Sequence, residues 1–149
     1  MKVRPATEDD VPGLVALEGC FAHQRWSEHT WRNELRAPGR LVLVAEGEQA
    51  DLRGAASFHL VADVADLDRI AVDPAHRRQG IARELLAAGL AWCAERGAQR
   101  ILLEVEAHNR AAIELYRGCG FRELTTRPGY YSNGVDALVM ELSPKGATL

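Results

Sequence analysis

Short apolar runs alternate with amphipathic stretches along the chain. Val3-Arg4-Pro5-Ala6 reads as a short extended piece. Thr7-Glu8-Asp9-Asp10 has the form of a helix start: Thr7 can cap, and the acids suit the positive end of a helix. Val11, Leu14, Val15 and Leu17-Glu18 follow at helical spacing. Ser27 opens a second helix with Trp31 and Leu35 four apart, and Ala37-Pro38-Gly39 stops it. Leu41–Ala45, Gly54–Val61 and Ala65–Val72 read as strands, with a polar loop after the first. Asp73-Pro74 ends the third, because proline cannot donate to a ladder. Gly80 to about Arg96 reads as a long helix. Its stripe is Ile81, Leu85, Ala88 and Trp92, widened by Leu86, Gly89 and Cys93, and Gly97 suits a left-handed cap. Arg100–Val105 is apolar on both faces, as a covered central strand is. Asn109–Arg117 is a shorter helix, broken by Gly118-Cys119-Gly120. Phe121–Leu124 and Val135–Leu142 read as strands joined by a loop with the turn signal Asn133-Gly134, and the chain frays from Pro144. This order predicts an α/β fold, a mixed sheet with helices on both faces. A right-handed crossover would make the strands at 65–72 and 100–105 parallel.

At 149 residues the chain is expected to be a single domain, 1–149, able to bury a core without a metal or disulfide staple. Lys+Arg is 18 against Asp+Glu 21, a net charge of −3, which weighs against nucleic acid as a partner. No apolar run has the length of a membrane helix, and the start has no apolar secretory core. A cytoplasmic protein with no membrane partner is therefore expected. Cys20, Cys93 and Cys119 form no CxxC pair and read as reduced, half-buried thiols. His23, His29, His59, His76 and His108 show no metal-ligand spacing, so no metal is expected. They read as surface or satisfied side chains, with His108, two residues before Arg110, as the exception.

The chemistry concentrates between the third strand and the long helix, in Asp73-Pro74-Ala75-His76-Arg77-Arg78-Gln79-Gly80-Ile81-Ala82. A helix amino terminus presents unpaired N–H groups and a positive dipole end to anions. Gly80 would let the backbone approach a phosphate closely, and Ala82 is small enough for the same purpose. Arg77, Arg78 and Arg83 add positive charge. A Walker loop is excluded by the absent Gly-Lys-Ser/Thr, and a dinucleotide fingerprint by the shortage of glycines. Read on chemistry alone, the segment is either a phosphate loop or a tight solvated turn.

Ile70-Ala71-Val72-Asp73-Pro74, followed by Arg77-Arg78-Gln79-Gly80-Ile81-Ala82, resembles the acetyl-CoA signature of the GNAT N-acetyltransferases, with Arg77, Gly80 and Ala82 at its fixed positions. Leu103-Glu104-Val105, Asn109, Ala112, Leu115-Tyr116 and Gly120-Phe121 resemble the family's second half, in the right order. Arg127-Pro128-Gly129-Tyr130-Tyr131, Asp136-Ala137-Leu138-Val139-Met140 and Trp26-Ser27-Glu28 resemble the RimI-type subgroup, whose members acetylate the N-terminal alanine of a small-subunit ribosomal protein. The resemblance implies the GNAT fold, in which two central parallel strands splay at their carboxyl ends and admit the pantetheine of acetyl-CoA, the co-substrate.

It further implies roles. Backbone groups of Ile70, Ala71 and Val72 would hold the pantetheine, and Arg77, Arg78, Gln79, Gly80, Ile81, Ala82 and Arg83 the pyrophosphate. Glu104 would be the general base, the alternative being a solvated acid at a strand end. Tyr116 would be the general acid and lie near the sulfur, the alternative being a packed helix aromatic. Asn109 would cap its helix and contact the coenzyme. Trp26, Glu106, Tyr130 and Tyr131 would face the acceptor, and Trp31 could join them; core packing competes for both tryptophans. Glu106 stands where RimI-type sequences often carry Arg, and His108 where a small Ser is usual, so the acceptor preference is open. Ala82 in place of a second Gly is within the family pattern. The expected activity is direct acetyl transfer to a primary amine, an N-terminal alanine first, by a monomer or weak dimer. The alternatives are a GNAT acting on a small-molecule amine or on other protein N-termini, and a CoA-binding module without turnover.

Overall fold

The computed structural model describes residues 1–22 and 24–144. His23 and residues 145–149, expected as a surface histidine and as most of a frayed tail, lie outside the described residues. The strands are β1 (Lys2–Pro5), β2 (Arg40–Glu46), β3 (Leu52–Val61), β4 (Val64–Val72), β5 (Arg100–Glu106), β6 (Arg122–Arg127) and β7 (Ala137–Leu142). The helices are α1 (Val11–Leu17), α2 (Glu28–Arg36), α3 (Ile81–Glu95) and α4 (Arg110–Gly118), with single 3-10 turns at Glu8–Asp10, Glu18–Cys20 and Pro74–His76. The strands form one mixed sheet in the order β1-β2-β3-β4-β5-β7-β6. The chain divides into two compact units: Met1–His59 with Asp68–Trp92, and Leu60–Leu67 with the chain from Cys93 on.

In the first unit β1 and β3 flank β2, both antiparallel to it, with Val44 opposite Arg4 and Ala55. Strand alternation sorts the side chains. Val42, Val44, Ala55 and Ala71 share a buried cluster with Leu14 and Leu17 of α1 and Trp31 of α2. From the other face, Gly54 meets Ile81 and Leu85 of α3, and Phe58 meets Gly89. Helices thus cover both faces. The local starts follow their caps: Ser27 Oγ accepts from the Thr30 N–H at 3.1 Å, and the Asp10 carboxylate accepts from the Thr7 N–H at 2.8 Å. Arg4 grips Asp10 with both terminal nitrogens, at 2.8 and 2.9 Å, and this pairing holds the Asp10 carboxyl below the usual carboxylate range.

Three details of the apolar pattern differ from expectation. Val15 is 37% exposed, because the buried face of α1 runs through Val11, Leu14 and Leu17 and leaves it at the margin. The buried stripe of α3 centres on Ile81, Leu85, Gly89 and Cys93, with Ala88 and Trp92 at its edge. β3 starts at Leu52, two residues before Gly54. The shift on α3 has a steric cause: a Cβ at Gly89 would lie 2.0 Å from Phe58 Cε1. Phe58 is fully buried, so its ring has nowhere to go. Gly89→Ala is therefore expected to destabilise. Overpacking costs about 3 kcal/mol against a helix-propensity gain of about 1 kcal/mol. The net loss lowers the melting temperature by about 4–8 °C, readable by calorimetry; an unchanged or raised midpoint would contradict the packing.

In the second unit β4 and β5 are parallel, from Val64 opposite Arg100 to Leu67 opposite Leu103, as the crossover rule required. β7 lies antiparallel to β5 with Leu142, Met140 and Leu138 opposite Ile101, Leu103 and Val105. These six form the buried face, which leaves Glu104 and Glu106 on the opposite face with Leu102. β6 is an exposed edge strand beginning after Phe121, which is buried edge-to-face against Tyr116 of α4. Arg117 at the end of α4 is ion-paired to Glu123 on β6. Cys93 is buried rather than half-buried, and burial pushes its thiol up to about 11; Cys20 and Cys119 are half-buried, and all three are free thiols. Among the described residues no helix is long and apolar enough to cross a membrane.

Candidate active site

The first unit carries the turn at the carboxyl end of β4. The Asp73 carboxylate accepts from the Ala75 N–H at 3.0 Å and the Asp73 carbonyl from the His76 N–H at 2.9 Å, which closes the 3-10 turn. The chain then passes through two left-handed residues, Arg78 (φ +63°) and Gly80 (φ +76°), before α3 begins. The Glu84 N–H donates to the Gly80 carbonyl at 3.0 Å. The N–H groups of the first helical turn are thereby left without intrahelical partners. Nothing lies within 4 Å of where a Gly80 Cβ would sit. Arg77, Arg78, Gln79, Gly80 and Arg83 are exposed, while Ile81 anchors the helix start in the core. Paired kinks of this kind in front of a helix start make an anion-binding concavity. The residues present fit a diphosphate.

Ile70, Ala71 and Val72 precede this turn, with Ala71 buried beneath α1 and α2. Cys20 is also in this unit. Burial, and after it the Glu18 charge, raise its thiol, against opposing effects of Arg77 and Arg69. Trp31 is fully buried in the core, so it does not face an acceptor; its volume is used in packing. Trp26 is half-buried, edge-on to Trp31 at 4.8 Å.

The second unit carries the titratable groups. The Tyr130 hydroxyl donates to Glu104 Oε1 at 3.3 Å, and Arg127 Nη1 is 3.7 Å from Oε2. Arg127 also lies over the Tyr130 ring at 5.4 Å. The Glu104 side chain keeps 34% of its exposure. The loop between β6 and β7 delivers these tyrosines. Gly129 (φ +58°) donates its N–H to the Asp136 carboxylate at 2.8 Å, and the Tyr131 N–H donates to the Val135 carbonyl at 3.2 Å. Tyr131 packs edge-on to Tyr130 at 5.2 Å. Burial, then the charges of Glu104 and Glu106, push its phenol up to about 12. Glu106 is 3.7 Å from His108 Nδ1. Asn109 caps α4, accepting from the Ala112 N–H at 3.2 Å. Tyr116 is buried on α4, and burial first, then Tyr131 and Cys119, raise its phenol above the ordinary tyrosine value. Tyr116 is thus held as a neutral O–H donor at neutral pH.

Glu104, Glu106, Asn109, Tyr116, Tyr130 and Tyr131 therefore belong to one compact unit, and the turn from Asp73 to Gly80 with Ile70–Val72 and Trp26 to the other. Sequence reading used Arg127 only as part of a motif. Its pairing with Glu104 has no local signal, because the two are 23 positions apart on different strands. The ion pair of Glu18 with Arg69 was missed for the same reason.

Residues 10–121 match the model of the acetyltransferase (GNAT) family. The chain is 36% identical over 137 residues to the [ribosomal protein bS18]-alanine N-acetyltransferase of Escherichia coli K12, covering 89% of this chain and 90% of that protein. It is 39% identical, over the same shares, to the enzyme of that name from Salmonella typhimurium. The crystal structure of the ribosomal-protein-S18-alanine N-acetyltransferase from Escherichia coli superposes with a TM-score of 0.87 at 33% identity, covering 95% of this chain and 92% of that one. The chain therefore belongs to the GNAT acetyltransferase family and is an acetyl-CoA-dependent N-acetyltransferase.

Proposed function

We propose that the chain is one catalytic domain that acetylates the N-terminal α-amine of a protein, an N-terminal alanine of a ribosomal protein being the preferred acceptor. The observation that carries this reading is the placement of Glu104. Its carboxylate stands on the open face of β5, held by the Tyr130 hydroxyl and Arg127, with Tyr131 and Glu106 beside it. Relatives 36–39% identical over nine-tenths of both chains carry the bS18-alanine activity in their names, which supports the choice of acceptor.

Bound acetyl-CoA supplies an activated thioester carbonyl. The turn from Arg77 to Arg83 binds its diphosphate through backbone N–H groups and arginine charge. Backbone groups of Ile70, Ala71 and Val72 orient the pantetheine, and Asn109 adds a contact from the head of α4. Glu104 takes one proton from the acceptor ammonium, directly or through a water, so that the nitrogen lone pair is free. The freed lone pair attacks the thioester carbonyl and forms the C–N bond; as the C–S bond breaks, Tyr116 gives its proton to the sulfur, and the second proton of the acylated nitrogen returns to the Tyr116 phenolate, so the products are the amide and a neutral thiol. Glu106, Tyr130 and Tyr131 are acceptor-contacting residues of the second unit, and Trp26 is one of the first. The proposal includes a cytoplasmic monomer or weak dimer, with neither nucleic acid nor membrane as partner.

The paired carboxylates Glu104 and Glu106 favour one second reading, a small cationic amine as acceptor. A single experiment separates the two. The protein is incubated with acetyl-CoA and Ala-, Ser- and Met-starting peptides, internal lysine peptides and polyamines, and mass spectrometry locates the acetyl group. The proposal expects α-amine acetylation of the Ala peptide first; acetylation confined to polyamines would replace it with the second reading.

Gly80→Val tests the diphosphate turn separately. A left-handed conformation costs a β-branched residue about 1–2 kcal/mol, so the turn relaxes away from its native shape. Acetyl-CoA affinity in calorimetry falls about tenfold at this cost, while the fold persists because the site has room. Unchanged affinity would remove the turn from the binding site.

A further inference from the structure

The segment that follows α1 is tied to β4 by one side chain. Arg69 stands immediately before Ile70-Ala71-Val72, on the same face of β4 as Ala71. Its Nε donates to Glu18 Oε2 at 3.3 Å, and its Nη2 donates to Glu18 Oε1 and, at 3.0 Å, to the Gln24 carbonyl. The guanidinium lies over the Phe21 ring at 3.8 Å and faces Trp26 at 5.3 Å. Glu18 is 1% exposed, and its Oε1 also accepts from the Trp26 N–H at 2.7 Å. Gln24 is left-handed, with φ +55°, a conformation that a non-glycine residue keeps only when its surroundings hold it. Both ends of the Glu18–Trp26 segment are therefore fastened to a single buried ion pair.

Such a pair is a poor stabiliser, because desolvation offsets most of its attraction, but here its two partners also hold the Trp26 N–H and the Gln24 carbonyl. What it fixes here is the position of Phe21 and Trp26 relative to the strand whose next three residues orient the pantetheine. Resting on the acceptor role of Trp26 proposed above, we infer that Arg69 and Glu18 are positioning residues for the amine acceptor. The clamp sets where Trp26 and Phe21 stand and leaves acetyl-CoA binding to the turn and to the β4 backbone.

The test is a comparison of Michaelis constants. Arg69→Met strands the Glu18 carboxylate in the core, so Arg69→Lys and Glu18→Gln carry the experiment. Lysine keeps the charge but loses the planar fork and the stacking on two rings. Glutamine keeps the shape but loses the charge-assisted bonds. For both variants the acceptor KM rises about tenfold while the acetyl-CoA KM stays within about twofold. Trypsin cleavage after Arg25 also accelerates, because the segment is released. An acetyl-CoA KM that climbs in step with the acceptor KM, an acceptor KM that does not move, or an unchanged cleavage rate would each overturn the inference. The constants are read with whichever amine the wild-type enzyme acetylates. Failure of the N-terminal-peptide reading then shows in the wild type, and failure of the clamp in the variants.

Discussion

Glu104→Gln lowers turnover on an N-terminal peptide by about 10²–10³-fold, within the range for loss of a general base. Glutamine keeps an oxygen for the Tyr130 hydroxyl, now at 3.3 Å from Glu104 Oε1, so the loop between β6 and β7 stays in place. The ion pair with Arg127 is lost, but both partners are partly exposed, and such pairs contribute less than about 1 kcal/mol. Melting temperature and acetyl-CoA affinity therefore stay near wild type while kcat falls. The deficit shrinks as pH rises toward the pKa of the free α-amine, about 7.7–8.0, where the acceptor loses its proton unaided. Single-turnover rates across pH 6–9 check this. A variant that keeps full activity throughout would return Glu104 to the status of a solvated acid.

Tyr116→Phe is expected to lower kcat by about 10- to 100-fold, less than the loss of the base, because a thiol of pKa near 8.5 leaves tolerably well without a proton. Phenylalanine keeps the edge-to-face contact with Phe121 at 6.0 Å, so the variant folds. Burial raises the Tyr116 phenol above its ordinary 10.0, so wild-type kcat shows no alkaline decline from this group at or below that pH. Stability gives a second readout. The folded phenol binds its proton more tightly than the unfolded one. Its contribution is complete below pH 10 and is lost as pH rises through the raised folded value. Wild type thus loses stability above pH 10 more steeply than Tyr116→Phe. Denaturant midpoints at pH 9 and 11 measure the difference, and parallel losses in the two proteins would argue that Tyr116 is not buried as described.

The legible parts of this fold are those in which one local rule acts alone. Ser27, Asn109 and Gly97 mark helix ends because caps are local hydrogen bonds or local φ values, and each stands where its sequence put it. The turn from Asp73 to Gly80 was legible for the same reason. Neighbours set the rest. β3 begins at Leu52 because Leu52 still pairs with Glu46 of β2 past a register irregularity, and Gly54 lies inside the strand as a glycine because Ile81 and Leu85 occupy the space a side chain would need there. β7 begins at Ala137 rather than Val135. The Val135 N–H is used by the Asn133 side chain and its carbonyl by Tyr131, so the turn consumes both groups a ladder would use. β6 runs on to Arg127 with every residue exposed, and an edge strand of that kind has no apolar alternation to announce it. At the site, Glu104 and Tyr116 were reachable by strand alternation and family resemblance. Arg127 and the Glu18–Arg69 clamp were not, since each depends on elements brought together only by the fold.

The central claim concerns which nitrogen Glu104 deprotonates. At pH 7 baring an α-amine costs about 1.0–1.4 kcal/mol and baring a lysine about 4.6 kcal/mol, so one partly exposed carboxylate suits the first far better. The decisive measurement is kcat/KM for two versions of one peptide, one with a free N-terminal alanine and no lysine, the other N-terminally blocked with a single internal lysine. The account predicts that the free alanine is preferred by about 10²-fold or more, the ratio set by that cost difference. Equal rates, or a preference for the lysine, would contradict it.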